Sequence, residues 1–162
     1  ILLLSKINNQ SIHPQRTVFR LDEQVRQAIV ALEQKWTEKG IDFDVELDKI
    51  SYSGYESLLI HVWSNLIDNA IKFDPHGGMI ALRLWQEEGF AVFTIDDNGP
   101  GVTPEDQERV FHKFYQSDSS RVMDGNGLGL PLVKKIVEFS GGTVTLENLP
   151  AAGCRFTVRL PL

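Results

Sequence analysis

Cysteine is almost missing from this chain: Cys154 is the only one. A single thiol excludes an internal disulfide and a thiolate metal cluster, and it is the usage expected in a reducing compartment. Positive charge is also in deficit. Sixteen Lys and Arg face 22 Asp and Glu, for a net charge of −6 and a pI near 5.2. That balance excludes a general surface for nucleic acid or anionic membrane. No apolar run reaches membrane-spanning length, and Ile1-Leu2-Leu3-Leu4 is too short for a signal core. The chain opens on isoleucine, so it is expected to be a piece of a longer protein whose remainder is free to hold a membrane segment.

What is present fits one globular domain. With 162 residues, 42% hydrophobic and 23% charged, the chain is long enough for a full hydrophobic core. Residues 1–7 read as the end of a helix, followed by a polar linker to residue 16. Leu21, Val25, Ala28, Ile29, Leu32 and Trp36 keep helical spacing, with Gly40 as the stop. Residues 41–47 alternate as a half-buried strand. A second helix is predicted over about 54–73, ending at the turn cluster Asp74-Pro75-His76-Gly77-Gly78. Residues 79–87 and 90–97 pair as an antiparallel hairpin around Glu88-Gly89. Thr103-Pro104-Glu105-Asp106 starts a short helix. A helix over 130–139 stops at Gly141-Gly142, and alternating strands over 143–147 and 154–160 close the chain. The sum is an α/β two-layer sandwich, a mixed and mostly antiparallel sheet covered on one face by three main helices.

Three places carry unusual chemistry. Asn65, Asp68, Asn69 and Lys72 follow the spacing i, i+3, i+4, i+7, so they form one polar stripe on an otherwise apolar helix. Asparagine is a mediocre helix former, so two of them one turn apart imply a task. Asp97 shares the apolar strand face with Phe93 and Ile95, where a carboxylate is costly without a donor to bind. Gly99 and Gly101 beside it let the backbone come close to another group. Read alone, this turn is equally a strand end capped by aspartate. Gly125-Asn126-Gly127-Leu128-Gly129-Leu130-Pro131 runs into a helix start, where free amides suit phosphate. It is neither a P-loop nor a dinucleotide fingerprint. Between the glycine turns lie residues 102–124, with Phe111 and Phe114, a length typical of a lid and equally of a surface loop.

In this order, the asparagine helix, the Asp-x-Gly-x-Gly turn, the phenylalanine segment and the Gly-x-Gly-x-Gly helix start resemble the N, G1, F and G2 boxes of the histidine protein kinase catalytic domain. That domain belongs to the Bergerat-fold ATPase superfamily shared with DNA gyrase. The resemblance covers residues 17–162, and residues 1–16 then look like the end of a dimerisation helix and a linker. It implies that Asn69 coordinates magnesium, that Asn65 supports metal and phosphates, and that Lys72 meets the phosphates, with Asn65 and Lys72 closest to catalysis. Phe73 would lie beside the nucleotide, and Asp97 would accept from the adenine amino group. Gly99 and Gly101 would shape the base pocket, while Gly125, Gly127, Leu128, Gly129 and Leu130 would line the phosphate side under an ATP lid. ATP brings about four negative charges into an acidic domain, and Mg2+ plus a lysine would offset them. Asp68 is expected to be solvated or structural.

The chain also departs from that pattern. Gln116 stands where many relatives have arginine, so a phosphate contact is either missing or supplied by Lys113 or Arg121. The histidines, 13, 61, 76 and 112, do not lie in an acceptor setting. The expected function is therefore that of an ATP-binding half, donating the γ-phosphoryl group to a histidine on an upstream dimerisation domain. A response regulator and a second copy of the parent are the implied partners, and nucleic acid is not among them. The implied setting is a cytoplasmic domain of a parent anchored in the cytoplasmic membrane. A serine-phosphorylating kinase that controls a sigma factor and a non-catalytic nucleotide sensor share the same boxes and stay open as alternatives.

Overall fold

The computed structural model describes residues 14–112 and 129–162, without the side chain of Glu108. The seven strands here are β1 (Thr17–Arg20), β2 (Asp42–Leu47), β3 (Ser51–Gly54), β4 (Met79–Glu87), β5 (Phe90–Asp96), β6 (Thr143–Asn148) and β7 (Cys154–Pro161). The helices are α1 (Leu21–Ala31), α2 (Glu33–Glu38), α3 (Glu56–Phe73), α4 (Pro104–Arg109) and α5 (Gly129–Phe139). Five strands form one mixed sheet in the order β2-β4-β5-β7-β6, in which β2 and β4 run parallel and the other neighbours antiparallel. The predicted hairpin is β4–β5. Its turn residues, Glu88 and Gly89, both have positive φ, 51° and 81°, the geometry that suits the twist of a two-residue hairpin.

The asparagine helix α3 sits at the centre of the core. Leu59, Val62, Trp63, Leu66 and Ile67 are fully buried. The Trp63 ring packs against Phe93 of β5 at 4.8 Å between centroids. Its indole N–H donates to Gln24 at 2.9 Å, and Gln24 in turn donates to the Glu56 carbonyl at 2.9 Å, so the polar edge of the ring is satisfied inside the core. Among the described residues, no helix is long and apolar enough to cross a membrane.

Two features differ from the sequence expectation. The first helix is broken rather than continuous from Leu21 to Trp36, because Leu32 leaves helical geometry at φ −103° and ψ 14°. The Ile29 carbonyl accepts from the Leu32 N–H at 3.2 Å and from the Trp36 indole at 2.9 Å, which takes it out of the regular ladder. The second is a separate ribbon, β1 paired antiparallel with β3. Asp22, fully buried, anchors it by accepting from Arg20, Arg26 and the Ile50 N–H. The paired guanidiniums hold the Asp22 carboxyl well below the usual carboxylate range.

The end of α3 is closed from outside. The Lys39 ammonium donates to the carbonyls of Ile71 (2.7 Å), Lys72 (2.9 Å) and Asp74 (2.6 Å). These belong to the last turn, where carbonyls lack helical partners and a cation also meets the negative end of the dipole. Lys39→Met keeps the aliphatic stem and removes all three bonds. It is expected to lower unfolding stability by roughly 2 kcal/mol or more in urea titration; a loss below about 0.5 kcal/mol would mean that water serves those carbonyls as well.

Candidate functional site

The polar stripe of α3 lies half-buried along one side of the helix. Asp68 holds two lysines, Lys35 of α2 at 2.9 Å and Lys72 one turn further on at 3.5 Å. It therefore ties α2 to α3 and holds Lys72 along the stripe. Asn65 donates from Nδ2 to the His61 carbonyl at 2.7 Å. Its Oδ1 faces the start of α5, since a Cβ on Gly129 would lie 3.1 Å from it. Asn69 differs: its Nδ2 is buried with no hydrogen-bond partner among the described residues. A buried donor left unpaired costs about 1–3 kcal/mol, so such an atom calls for an explanation beyond packing.

The turn after β5 is packed hard against the end of α3. A Cβ on Gly99 would strike the Phe73 carbonyl, so only glycine allows this approach. Asp97 is buried, at 2% exposure. Its Oδ1 accepts from the Gly99 N–H at 2.9 Å, and its Oδ2 accepts from the Cys154 thiol at 3.4 Å. Gly153 holds a φ of +87°, and a Cβ there would collide with the Asp97 carbonyl. Asp96 points away, in a two-pronged pair with Arg155 of β7 at 2.7 and 2.8 Å. The alternation read from the sequence thus separates the two neighbouring carboxylates.

The far end of the turn is braced by Asn148. Its carboxamide accepts from the Val102 N–H and donates to the Val102 carbonyl, both at 2.8 Å, and it fills the space a Cβ on Gly101 would need. Beyond it α4 starts as predicted, with the Thr103 hydroxyl accepting from the Asp106 N–H at 3.2 Å. Phe111 then anchors in the core, edge-on to Phe156 at 6.0 Å. Leu130 packs against the same core.

The structure thus brings Asn65, Asn69, Lys72, Phe73, Asp97, Gly99, Gly101, Gly129 and Leu130 around the end of α3, the turn after β5 and the start of α5. Lys113, Phe114, Gln116, Arg121, Gly125, Gly127 and Leu128, with the remainder of the expected lid, lie outside the described residues. Lys39, Asp74, Asn148 and Cys154 brace the site but carry no motif that would single them out in the sequence.

Residues 54–162 match the family model described as histidine kinase-, DNA gyrase B- and HSP90-like ATPase. The chain belongs to that ATPase family. Within it the resemblance is to sensor kinases. The chain is 32% identical over 162 residues to the sensor protein kinase PmrB of Pseudomonas aeruginosa, covering 99% of this chain and 34% of that protein. It overlays the mycobacterial sensor histidine kinase MprB with a TM-score of 0.83 at 31% identity, covering 91% of this chain and 97% of that one. Full-length ShkA, solved in complex with AMPPNP, gives a TM-score of 0.86 at 26% identity, over 99% of this chain and 34% of that one. The chain is thus a histidine-kinase ATP-binding catalytic domain, and it spans about a third of the length of curated relatives such as PmrB. In this histidine-kinase domain the asparagine helix, the Asp-x-Gly-x-Gly turn and Gly129, the final glycine of the Gly-x-Gly-x-Gly box, meet in one place.

Proposed function

We propose that this domain binds Mg-ATP and, in its parent protein, donates the γ-phosphoryl group to a histidine nitrogen on a dimerisation domain preceding residue 17. The observation that carries the reading is the contact of Gly99 with the Phe73 carbonyl, which seats the buried Asp97 carboxylate at the end of the helix bearing Asn65, Asn69 and Lys72. A nucleotide lying across that junction meets an acceptor for its base and a lysine with two carboxamides for its phosphates.

The donor set also fits magnesium of a particular kind. The described residues hold no group of three or more His, Cys, Asp or Glu able to retain an ion unaided. Magnesium bound through few protein oxygens keeps its waters and relies on substrate phosphates. Asn65 and Asn69 suit that role, since a carboxamide oxygen binds without adding negative charge, while the unpaired Asn69 Nδ2 is a donor that a phosphate oxygen would satisfy. Asn65 and Asn69 would hold the ion, which would supply positive charge to offset that of the phosphates. Lys72, steadied by Asp68, would approach the phosphates, and Asp97 would accept from the adenine amino group. The protein then contributes positioning and charge stabilisation, while the P–O bond to ADP breaks as the P–N bond forms.

The rest of the reading follows from the parent's class. The acceptor histidine lies on a homodimeric helical domain, a response regulator takes the phosphoryl group, and any membrane anchor lies outside this domain, whose own setting is the cytoplasm. Calorimetric titration of the chain should show ATP binding that depends on magnesium and a strong preference over GTP, whose carbonyl oxygen would face the Asp97 carboxylate. Equal affinity for both nucleotides, or indifference to a chelator, would sink the assignment.

A further inference from the structure

One buried carboxyl beside the site has no part in that reading. Asp74 follows the last residue of α3 and is 2% exposed. Its Oδ1 accepts from the Asn98 N–H at 2.5 Å, whereas Oδ2 is buried with no hydrogen-bond partner among the described residues. Room for it comes from Gly78, where a Cβ would run into Oδ2. Burial, together with the nearby Asp97 charge, pushes the Asp74 carboxyl up to about 6, against the pull of the Asn98 N–H and of the Lys39 ammonium. A carboxyl in so unfavourable a place is costly to keep.

Its single hydrogen bond shows what it does. Asn98 and Gly99 are consecutive, and their N–H groups are divided between two carboxyls, Asn98 to Asp74 and Gly99 to Asp97. The Asn98 side chain in turn accepts from the Met79 N–H at 2.9 Å, at the start of β4. The turn therefore hangs between α3 and β4 by its Asn98 peptide, directly next to the Asp97 carboxylate. A glycine-containing turn has little rigidity of its own, so this outside hold matters.

We infer that Asp74 is a positioning residue for adenine recognition: by holding the Asn98 amide it orients the Asp97 carboxylate and couples the end of the asparagine helix to the base pocket. The assignment rests on the proposed reading of Asp97 as the group that accepts from adenine. It implies that an acceptor at position 74 matters and that its charge does not.

The test titrates ATP and ITP, which differ at the amino group, into the wild-type domain and into Asp74→Asn, Asp74→Ala and Asp97→Asn. Asp74→Asn keeps a carbonyl oxygen for Asn98 and should hold the ATP-to-ITP affinity ratio within about threefold of wild type. Asp74→Ala should lower that ratio about tenfold, mostly through ATP, the effect of misplacing one buried charge-assisted bond. Hydrogen exchange at the Asn98 amide should quicken in the alanine variant and not in the asparagine variant. Asp74→Leu, which fills the space without an acceptor, is read in the same way if the alanine variant fails to fold. An unchanged ratio in a folded Asp74→Ala or Asp74→Leu variant overturns the assignment, as does an equal loss for both nucleotides. Failure of both variants to fold makes Asp74 a structural residue and also overturns it. If Asp97→Asn leaves the ratio intact, the adenine reading of Asp97 falls and this assignment with it. If Asp97→Asn lowers the ratio and Asp74→Ala does not, this assignment falls alone.

Discussion

Asp97→Asn is expected to weaken ATP binding roughly ten- to a hundredfold, while Asp96→Asn changes it less than about twofold. Asp97 is buried, and its two oxygens already accept from Gly99 N–H and the Cys154 thiol, so both face donors. A carboxamide must turn an NH2 group toward one of those donors or toward the adenine amino group, and each choice is repulsive. The charge-assisted bond lost is worth roughly 1.5–3 kcal/mol, at about 1.4 kcal/mol per decade of affinity. Asp96 is bound instead to the part-exposed Arg155, and a surface pair of this kind contributes about 0–1 kcal/mol to stability. Both variants remove one negative charge from the same turn, so each controls for the other. Equal weakening by calorimetry would reduce the effect to general electrostatics, and weakening by Asp96→Asn alone would place the adenine reader on the other face.

The second large effect is expected at Asn69. Asn69→Asp is nearly isosteric, but it puts a charge where the present side chain has a buried, unpartnered amide. Over roughly 6 Å at an effective dielectric of about 20, repulsion between that charge and one phosphate charge is about 2–3 kcal/mol. Partial attraction to a bound cation offsets some of it. Phosphoryl transfer in the full-length parent should therefore fall roughly ten- to a hundredfold. The fold, read from the circular dichroism spectrum of the domain, should stay intact, since α3 keeps its buried apolar face. Normal transfer by the variant would remove Asn69 from metal and phosphate binding. A collapsed spectrum would make it a packing residue.

These two residues were legible in the sequence for different physical reasons. Asn69 stood out because helical spacing aligned it with Asn65 and Lys72 on a helix whose other faces are apolar. Asp97 stood out because a strand alternates strictly, so its identity as the inward carboxylate follows from Phe93 and Ile95. The same period-two rule located β4, β5, β6 and β7, each of six residues or more. It failed for β1 and β3, four residues each, which are too short to show a period and are held in place by Asp22 from a neighbouring helix. It also could not show that α1 stops at Ala31, because Leu32 and Trp36 continue the apolar spacing while the bond from Trp36 to Ile29 interrupts the ladder.

Local pattern, then, determined on its own which side chains line the stripe, which of two adjacent aspartates turns inward, and the order of the glycine turns along the chain. Those properties depend on helical and strand periods, which neighbours far along the chain do not alter. Tertiary structure alone decided that Asp68 binds Lys35 of α2, that Lys39 closes α3 from 32 to 35 residues away, that Asn148 and Cys154 brace the turn after β5, and that Asp74 holds the Asn98 amide. Each of these is an isolated polar side chain meeting a backbone group or a side chain from another element. No repeat in the sequence records such a meeting, because it exists only once the helices have packed on the sheet.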